Sequence, residues 1–185
     1  MARRAGLIAL ALAAVALGGG AWWSWRPQLH PALRPAAATA AADPAVQRFF
    51  ALNLDDADGR HRPLSEWRGK LLVVNFWATW CTPCVEEMPL LQRVADQYSA
   101  RNVAVIGIGV DDADKVREFR GKLSIRFPLL VAGFDGMDLA RQLGDPEPVL
   151  PYTALVSPSG RVVEQQSGRL KDSELRGWLV EHAGD

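Results

Sequence analysis

The chain contains few cysteines and histidines, the residue types that most often form disulfide bridges or bind a metal. Only two cysteines and three histidines occur among its 185 residues. The cysteines supply two of the four ligands that a structural zinc ion needs, and His30, His61 and His182 are scattered, with none at ligand spacing. The sequence therefore predicts no metal site, and no cofactor is expected.

The chain also lacks an excess of either charge. It carries 21 basic and 21 acidic residues, but four of the basic ones precede Asp43 and none of the acidic ones do. The remainder has 17 basic against 21 acidic residues, a net charge of −4. Because this part is mildly acidic and has no basic cluster, nucleic acid is not expected as a partner.

Long apolar runs are missing except at the N-terminus. Arg3 and Arg4 precede residues 5–25, an apolar segment that ends in three tryptophans. This length suffices to cross about 30 Å of hydrocarbon, and the tryptophans would form an interfacial belt. A cleavable signal peptide is the alternative, with Gly19-Gly20-Ala21 as the cut site. We favour the anchor, which leaves the arginines in the cytoplasm and exports the rest.

The segment after the apolar run differs in composition from the rest of the chain. Residues 26–43 are rich in proline and alanine and almost free of large apolar side chains. Such a segment is typical of a semi-extended linker that holds a domain away from a membrane. Residues 44–185 are long enough for one hydrophobic core and are predicted to form a single domain.

Strand and helix patterns alternate along residues 44–185. Strands are predicted at 49–54, 71–76, 103–108, 127–131 and 150–156, and a tight turn at 157–160 returns the chain as a hairpin over 161–166. Helices are predicted from the second cysteine to about residue 99, after Asp111 or Asp112, over 137–143, and after Asp172 or Ser173. A turn is expected at 55–59 and a single helical turn at 64–69.

This order of elements predicts an α/β fold with a mixed sheet. The acidic residues Asp111, Asp112 and Asp114 are interpreted as helix caps and solvated surface.

The two cysteines are the most informative residues. Cys81 and Cys84 lie between the predicted buried strand and a helix, which is the layout of a redox dithiol. The N-terminus of a helix stabilises a thiolate at this place. A structural disulfide is a weaker interpretation, since a bridge that closes four residues removes little chain entropy. A peroxidatic cysteine is also weakly supported, because the Pro and Thr of peroxiredoxins are here Val74 and Ala78.

The cysteine motif also carries a family resemblance. Residues 75–89 read Asn-Phe-Trp-Ala-Thr-Trp-Cys-Thr-Pro-Cys-Val-Glu-Glu-Met-Pro and resemble the membrane-tethered TlpA/ResA/CcmG group. The likeness extends to residues 107–112, 149–153 and 157–160, so it covers most of 49–182. It implies a thioredoxin-like fold, with a central mixed sheet flanked by helices.

The resemblance implies roles for several residues. Cys81 would attack a substrate disulfide and Cys84 would resolve the mixed disulfide, so that Cys81–Cys84 is a redox-active disulfide. Pro151 corresponds to the cis-proline that faces the dithiol in this family. Substrate contacts are expected from Trp80, Thr82, Pro83 and Leu150. Trp77 would shield the site from the core side and Trp80 from beside the sulfur.

One position departs from ordinary thioredoxin. The buried aspartate that assists proton transfer there is Asn75 in this chain. The family instead has a glutamate three residues after the second cysteine, which is Glu87. We expect a partly buried Glu87 with a raised pKa to exchange the proton of Cys84, and Glu86 to be solvated helix surface.

The resemblance also implies a cellular role. The expected protein is a thiol–disulfide oxidoreductase on the periplasmic face of the inner membrane that reduces disulfides of apocytochrome c, of copper-site proteins or of their chaperones. An oxidising compartment requires a transmembrane electron donor to keep the dithiol reduced. Two alternatives stay open. One is a disulfide oxidase or isomerase; the other is a Cu(I)-binding chaperone, for which Met88 is the only extra soft ligand nearby.

Overall fold

The computed structural model describes residues 42–147 and 149–183. Its strands are β1 (Asn53–Asp56), β2 (His61–Pro63), β3 (Leu71–Trp77), β4 (Val103–Gly109), β5 (Leu129–Val131), β6 (Tyr152–Val156) and β7 (Val162–Ser167). Its α-helices are α1 (Pro44–Phe50), α2 (Thr82–Tyr98), α3 (Ala113–Leu123), α4 (Asp135–Gln142) and α5 (Asp172–His182). Short 3₁₀ turns span Leu64–Trp67 and Ser99–Arg101.

All seven strands form one mixed sheet in the order β2-β1-β5-β4-β3-β6-β7. Strands β3, β4 and β5 are parallel, whereas β1, β2, β6 and β7 pair with their neighbours in antiparallel fashion. Every residue of β3 is buried, because this strand has a neighbour on each side and helices over both faces. The predicted α/β fold with a mixed sheet is confirmed.

The core consists of two layers, one on each face of the sheet. Successive side chains of a strand point to opposite faces, so Leu71, Val73 and Trp77 of β3 pack on one face, and Leu72, Val74 and Phe76 pack on the other. Helices α2, α3 and α5 cover the first face, and α1 and α4 cover the second. By the same alternation, Asn75 points to the face that α2 covers.

The predicted strand at residues 49–54 is wrong. The chain enters the domain as helix α1, and the first strand begins only at Asn53. Asp43 caps the helix by accepting a hydrogen bond from the Ala45 N–H at 2.7 Å, and Pro44 occupies the first turn. The predicted turn at 55–59 is shorter than expected, since β1 extends to Asp56.

The last helix begins at a different residue from the two that the sequence indicated. Lys171, rather than Asp172 or Ser173, is the N-cap of α5, and its N–H donates to the Glu174 carboxylate at 2.9 Å. The acid three positions after the cap therefore satisfies the free N–H of the helix start. The predicted hairpin of β6 and β7 is confirmed.

The predicted membrane segment and most of the predicted linker, residues 1–41, lie outside the described residues. Within residues 42–147 and 149–183, no helix has both the length and the apolarity for crossing a membrane. The anchor therefore stays a prediction, as do the domain boundaries.

Candidate active site

Three loops meet at one edge of the sheet. In the register of the strands, Trp77 at the end of β3 is opposite Gly109 at the end of β4. On the other side, Phe76 pairs with Tyr152, the first residue of β6. The segments that follow β3 and β4 and the segment that precedes β6 therefore lie side by side. They carry the cysteines, Asp111 and Pro151.

The cysteines form a disulfide at the start of α2. The Cys81–Cys84 S–S bond is 2.02 Å long. Cys81 is the N-cap of the helix, and its Sγ accepts a hydrogen bond from the Cys84 N–H at 3.3 Å. Cys81 is 7% exposed and Cys84 is fully buried. The first cysteine is thus the more accessible one, and the N–H groups at the helix start favour negative charge on its sulfur.

The peptide bond between Leu150 and Pro151 is cis. Pro151 is buried, and its carbonyl accepts a hydrogen bond from the Gly168 N–H at 2.8 Å. Leu150 is half-buried and contacts both core layers. The structure therefore places both residues of this predicted pair at the edge that carries the cysteines.

The two tryptophans of the motif have opposite environments. Trp77 is fully buried, and its ring lies 4.6 Å from that of Phe119. Trp80 is 62% exposed, and Thr82 and Pro83 are also exposed. The predicted core position of Trp77 is confirmed. The other three residues are available to a partner, as their predicted role in substrate contact requires.

Glu87 is a buried carboxyl that lies three residues after Cys84 on the same face of α2. It is 2% exposed, accepts a hydrogen bond from the Asn75 Nδ2 at 2.6 Å through one oxygen, and accepts one from the Leu170 N–H at 3.1 Å through the other. Burial raises the pKa of Glu87 to about 7, although these two hydrogen bonds and the nearby Arg169 partly oppose the shift. The raised pKa agrees with the prediction.

Glu86 differs from its neighbour as the sequence predicted. Its side chain is 49% exposed and forms an ion pair with Arg169 at 2.6 Å. Glu86, Glu87 and Arg169 also line a surface pocket of about 420 Å³ between α2 and the segment before α5. Glu87 is therefore buried against the core but lies next to solvent.

One part of the site was missed in the sequence. The interpretation of Asp111 as a helix cap or solvated surface is wrong, because its side chain is 2% exposed. The carboxylate accepts hydrogen bonds from both the N–H and the hydroxyl of Thr79, two residues before Cys81. The available signal was its position at the carboxyl end of a strand beside β3, where sites of α/β sheets lie.

Burial alone would raise the pKa of Asp111. Hydrogen bonds from Thr79, Asp112 and Lys115 outweigh burial and hold the pKa of this carboxyl below its usual value. Asp112, by contrast, is 78% exposed and is the N-cap of α3, as the sequence allowed.

Possible metal ligands lie apart from the cysteines in sequence. Within the described residues, Glu164, Glu181 and His182 bring their ligand atoms within 4.8 Å of one another. His182 Nε2 lies 3.1 Å from Glu164 Oε1, so an ordinary contact between the side chains accounts for the pairing. Met88 is fully buried in the same core layer as Cys81 and Cys84.

Comparison with known proteins assigns the family. The model of the AhpC/TSA family matches residues 45–165. The chain belongs to this family. The thiol-disulfide oxidoreductase ResA of Bacillus thuringiensis (strain Al Hakam) is 31% identical over 125 residues, which cover 67% of this chain and 70% of that protein.

Solved structures of other proteins share the fold. The structure of MTB dsbF in mixed oxidized and reduced forms has a TM-score of 0.63 and 26% identity, and covers 75% of this chain and 97% of that chain. A secreted Mycobacterium tuberculosis disulfide oxidoreductase homologous to E. coli DsbE has a TM-score of 0.61 and 22% identity, and covers 76% and 99% of the two chains.

Together these relatives identify this AhpC/TSA family member as a TlpA/ResA/CcmG-like protein of the thioredoxin superfamily. It is a thiol–disulfide oxidoreductase with a thioredoxin-like fold.

Proposed function

We propose that the protein reduces disulfides of specific exported proteins through Cys81 and Cys84, with Glu87 as the group that exchanges the proton of Cys84. The observation that carries this proposal is the pairing of a disulfide at a helix start with a buried carboxyl on the same helix face. Cys81 is the more exposed sulfur, and Cys84 is out of contact with solvent.

The reaction begins with the reduced dithiol. The Cys81 thiolate attacks one sulfur of the substrate disulfide, that bond breaks, and the released substrate sulfur takes up a proton. Cys84 then loses its proton to Glu87 and attacks the Cys81 sulfur. The mixed disulfide breaks, the second substrate sulfur leaves as a thiolate, and the Cys81–Cys84 disulfide remains.

Glu87 suits this proton transfer for two reasons. Its pKa of about 7 means that it can both accept and release a proton near neutral pH, which is where a general base is most effective. The pocket of about 420 Å³ beside it offers a route for that proton to solvent. Cys84 itself is fully buried.

Asn75 can form a hydrogen bond with the Glu87 carboxyl in both of its protonation states. Its Nδ2 donates to Glu87 at 2.6 Å and to the Thr153 hydroxyl at 3.0 Å. Its Oδ1 is buried and has no hydrogen-bond partner among the described residues. Rotation of the amide would turn this oxygen toward the carboxyl, where it can accept the proton that a neutral Glu87 donates.

The partner surface consists of the exposed residues around Cys81. Trp80, Thr82 and Pro83 present accessible side chains on one side, and Leu150 with the cis-Pro151 forms the neighbouring segment. An extended substrate strand bound there would bring its disulfide to Cys81. The substrates that we propose are apocytochrome c, copper-site proteins or their chaperones.

Export and membrane attachment are proposed from the N-terminal sequence. Residues 5–25 would anchor the chain in the inner membrane or act as a signal peptide, residues 26–43 would be the linker, and residues 44–185 the periplasmic domain. A similar disulfide oxidoreductase from Mycobacterium tuberculosis is secreted. Since an exported dithiol becomes oxidised, a transmembrane electron donor completes the proposal.

The redox potential tests the direction of electron flow. The full chain is equilibrated in dithiothreitol or glutathione buffers while tryptophan fluorescence and thiol labelling follow Cys81–Cys84. A potential near that of thioredoxin, about −270 mV, is expected for a reductant. A value near about −120 mV, that of a strong periplasmic oxidant, would contradict this direction and favour an oxidase.

Trapping tests the roles of the two cysteines and identifies partners. Cys84→Ser leaves Cys81 able to attack but removes the resolving thiol, so mixed disulfides with partner proteins should accumulate. Cys81→Ser is the matched control and should trap nothing. Equal trapping by both variants would contradict the assignment of Cys81 as the nucleophile.

A further inference from the structure

The chain reaches Cys81 through a tight turn. The Cys81 N–H donates to the Ala78 carbonyl at 3.2 Å, so Thr79 and Trp80 are the two central residues of a four-residue turn. Ala78 is buried and Trp80 is exposed. The conformation of this turn therefore determines where the Cys81 sulfur lies relative to the start of α2.

Asp111 holds the turn from the neighbouring strand. The Val110 N–H donates to the Trp77 carbonyl at 2.8 Å, which continues the pairing of β3 and β4 beyond the last sheet residues. At the next position, Asp111 Oδ2 accepts from the Thr79 N–H at 3.2 Å and from the Thr79 hydroxyl. One carboxylate oxygen thus binds both donors of a single turn residue.

The other oxygen of Asp111 is fixed by α3. Oδ1 accepts from the Asp112 N–H at 2.9 Å and from the Lys115 Nζ at 3.1 Å. A buried charge is costly unless it is paired and hydrogen-bonded, and here both oxygens are satisfied. The neighbouring Asp112 contacts the same Lys115 at 2.9 Å but is 78% exposed and makes no bond to the turn.

We propose that Asp111, acting through Thr79, is a positioning residue for the nucleophilic cysteine. The contact fixes the turn so that the Cys81 sulfur stays at the start of α2, where the Cys84 N–H donates to it. This inference rests on the proposed role of Cys81 as the nucleophile. Asp111 touches neither cysteine in any hydrogen bond of the described residues, so it acts on the reaction only through the turn.

Loss of the fixed turn and loss of the Asp111 charge should change the reactivity of Cys81 in opposite directions. The two effects can therefore be told apart by experiment. A nearby negative charge disfavours a thiolate, so removal of the Asp111 charge would by itself make Cys81 more reactive at neutral pH. Loss of the fixed turn should do the reverse, because the sulfur would leave the N–H groups that stabilise its negative charge.

The experiment measures the rate at which iodoacetamide alkylates Cys81 in the fully reduced, full-length chain as a function of pH. Asp111→Asn and Thr79→Val should each slow the reaction at neutral pH about tenfold, the effect of losing one charge-assisted hydrogen bond, and shift the midpoint of the pH profile upward. The double variant should lose no more than either single variant, because the two residues form one contact.

Two controls accompany these variants. Thr79→Ser keeps the hydroxyl donor and should restore the profile of the unaltered chain. Asp112→Asn removes the same charge one residue away and should leave the midpoint unchanged or lower it slightly. If Asp111→Asn folds poorly, the comparison of Thr79→Val with Thr79→Ser at equal thermal stability decides the question alone.

Several outcomes would overturn the inference. They are a downward shift of the pH midpoint in Asp111→Asn that matches the shift in Asp112→Asn, an unchanged alkylation rate and midpoint in Thr79→Val, or additive losses of rate in the double variant. Failure of the proposed function looks different: the unaltered chain would not reduce insulin disulfides, or alkylation would prefer Cys84 over Cys81.

Discussion

Two carboxyl side chains near the cysteines are both buried, yet their pKa values are shifted in opposite directions. As whole residues, Glu87 of α2 is 2% exposed and Asp111, after β4, is 8% exposed. Burial raises the pKa of Glu87 to about 7. At Asp111 burial acts in the same direction, but hydrogen bonds outweigh it and the pKa lies below its usual value.

Glu87 is the more deeply buried of the two, and the number and charge of the hydrogen-bond donors add to the difference. Glu87 receives one amide N–H from Asn75 and one backbone N–H from Leu170. Asp111 receives four donors, of which one is the ammonium group of Lys115. A carboxylate with several donors is stabilised in its charged form, whereas one with few donors in an apolar site favours its proton. One group is therefore suited to carry a proton, and the other to fix the backbone.

The largest effect that we expect is on stability. An unfolded glutamate loses its proton near pH 4.5, and folded Glu87 keeps it to about pH 7. Between these values the folded state binds more protons, so Glu87 makes the free energy of unfolding fall as the pH rises, by about 3 kcal/mol in total. Glu87→Gln should remove this decrease and be more stable than the unaltered chain at pH 8.

Denaturant unfolding of the oxidised protein at pH 5 and pH 8 measures this effect. Glu86→Gln is the matched control and should retain the decrease, since Glu86 is exposed. An identical pH dependence in the unaltered chain and in Glu87→Gln would mean that Glu87 does not hold its proton to neutral pH.

The second prediction concerns the rate of disulfide exchange. Glu87→Gln should slow resolution of the mixed disulfide by roughly 10²-fold, the lower end of what a positioned acid or base contributes. Stopped-flow fluorescence with a protein disulfide substrate follows this step. If Glu87→Gln leaves the pH dependence unchanged and Glu86→Gln shifts it, the two glutamates have been assigned the wrong way round.

Asp111 should show the opposite dependence of stability on pH. Its lowered pKa stabilises the fold at pH values above its unfolded pKa of about 3.8, and this contribution is lost as the pH falls through the folded pKa. Asp111→Asn should therefore destabilise the protein at pH 7, by about 2 kcal/mol for its lost charge-assisted hydrogen bonds. Asp112→Asn should change stability by less than about 0.5 kcal/mol. Similar losses in both variants would show that the Thr79 contact has no special weight.

The contrast also shows what a sequence can reveal. Strand β3, helix α2 and the cysteines between them follow from local patterns of apolar residues, and these predictions are confirmed. The burial of Glu87 could be expected from the family motif, since it lies three residues from Cys84 on one helix face. Asp111 could not be assigned in this way, because its partner Thr79 is 32 residues away in the sequence.

The error at residues 49–54 has a local cause. Phe49 and Phe50 are apolar neighbours that fit the start of a strand, yet both are buried in helix α1. Short apolar segments do not distinguish helix from strand by periodicity. The cap at Asp43 and the proline after it were the better guide, since both are typical of a helix start.

The smallest effect that we expect concerns the cation beside Glu87. Arg169 lowers the pKa of Glu87 through its positive charge, but it is 57% exposed and is paired with Glu86 at 2.6 Å. Because solvent screens exposed charges, Arg169→Gln should raise the pKa of Glu87 by less than about half a unit. Glu86→Gln frees the Arg169 charge and should lower that pKa by a similar amount. NMR titration of the Glu87 carboxyl, with high salt abolishing both shifts, measures them. A shift above one unit in either variant would mean that the surface ion pair, and not burial against the core, controls the proton on Glu87.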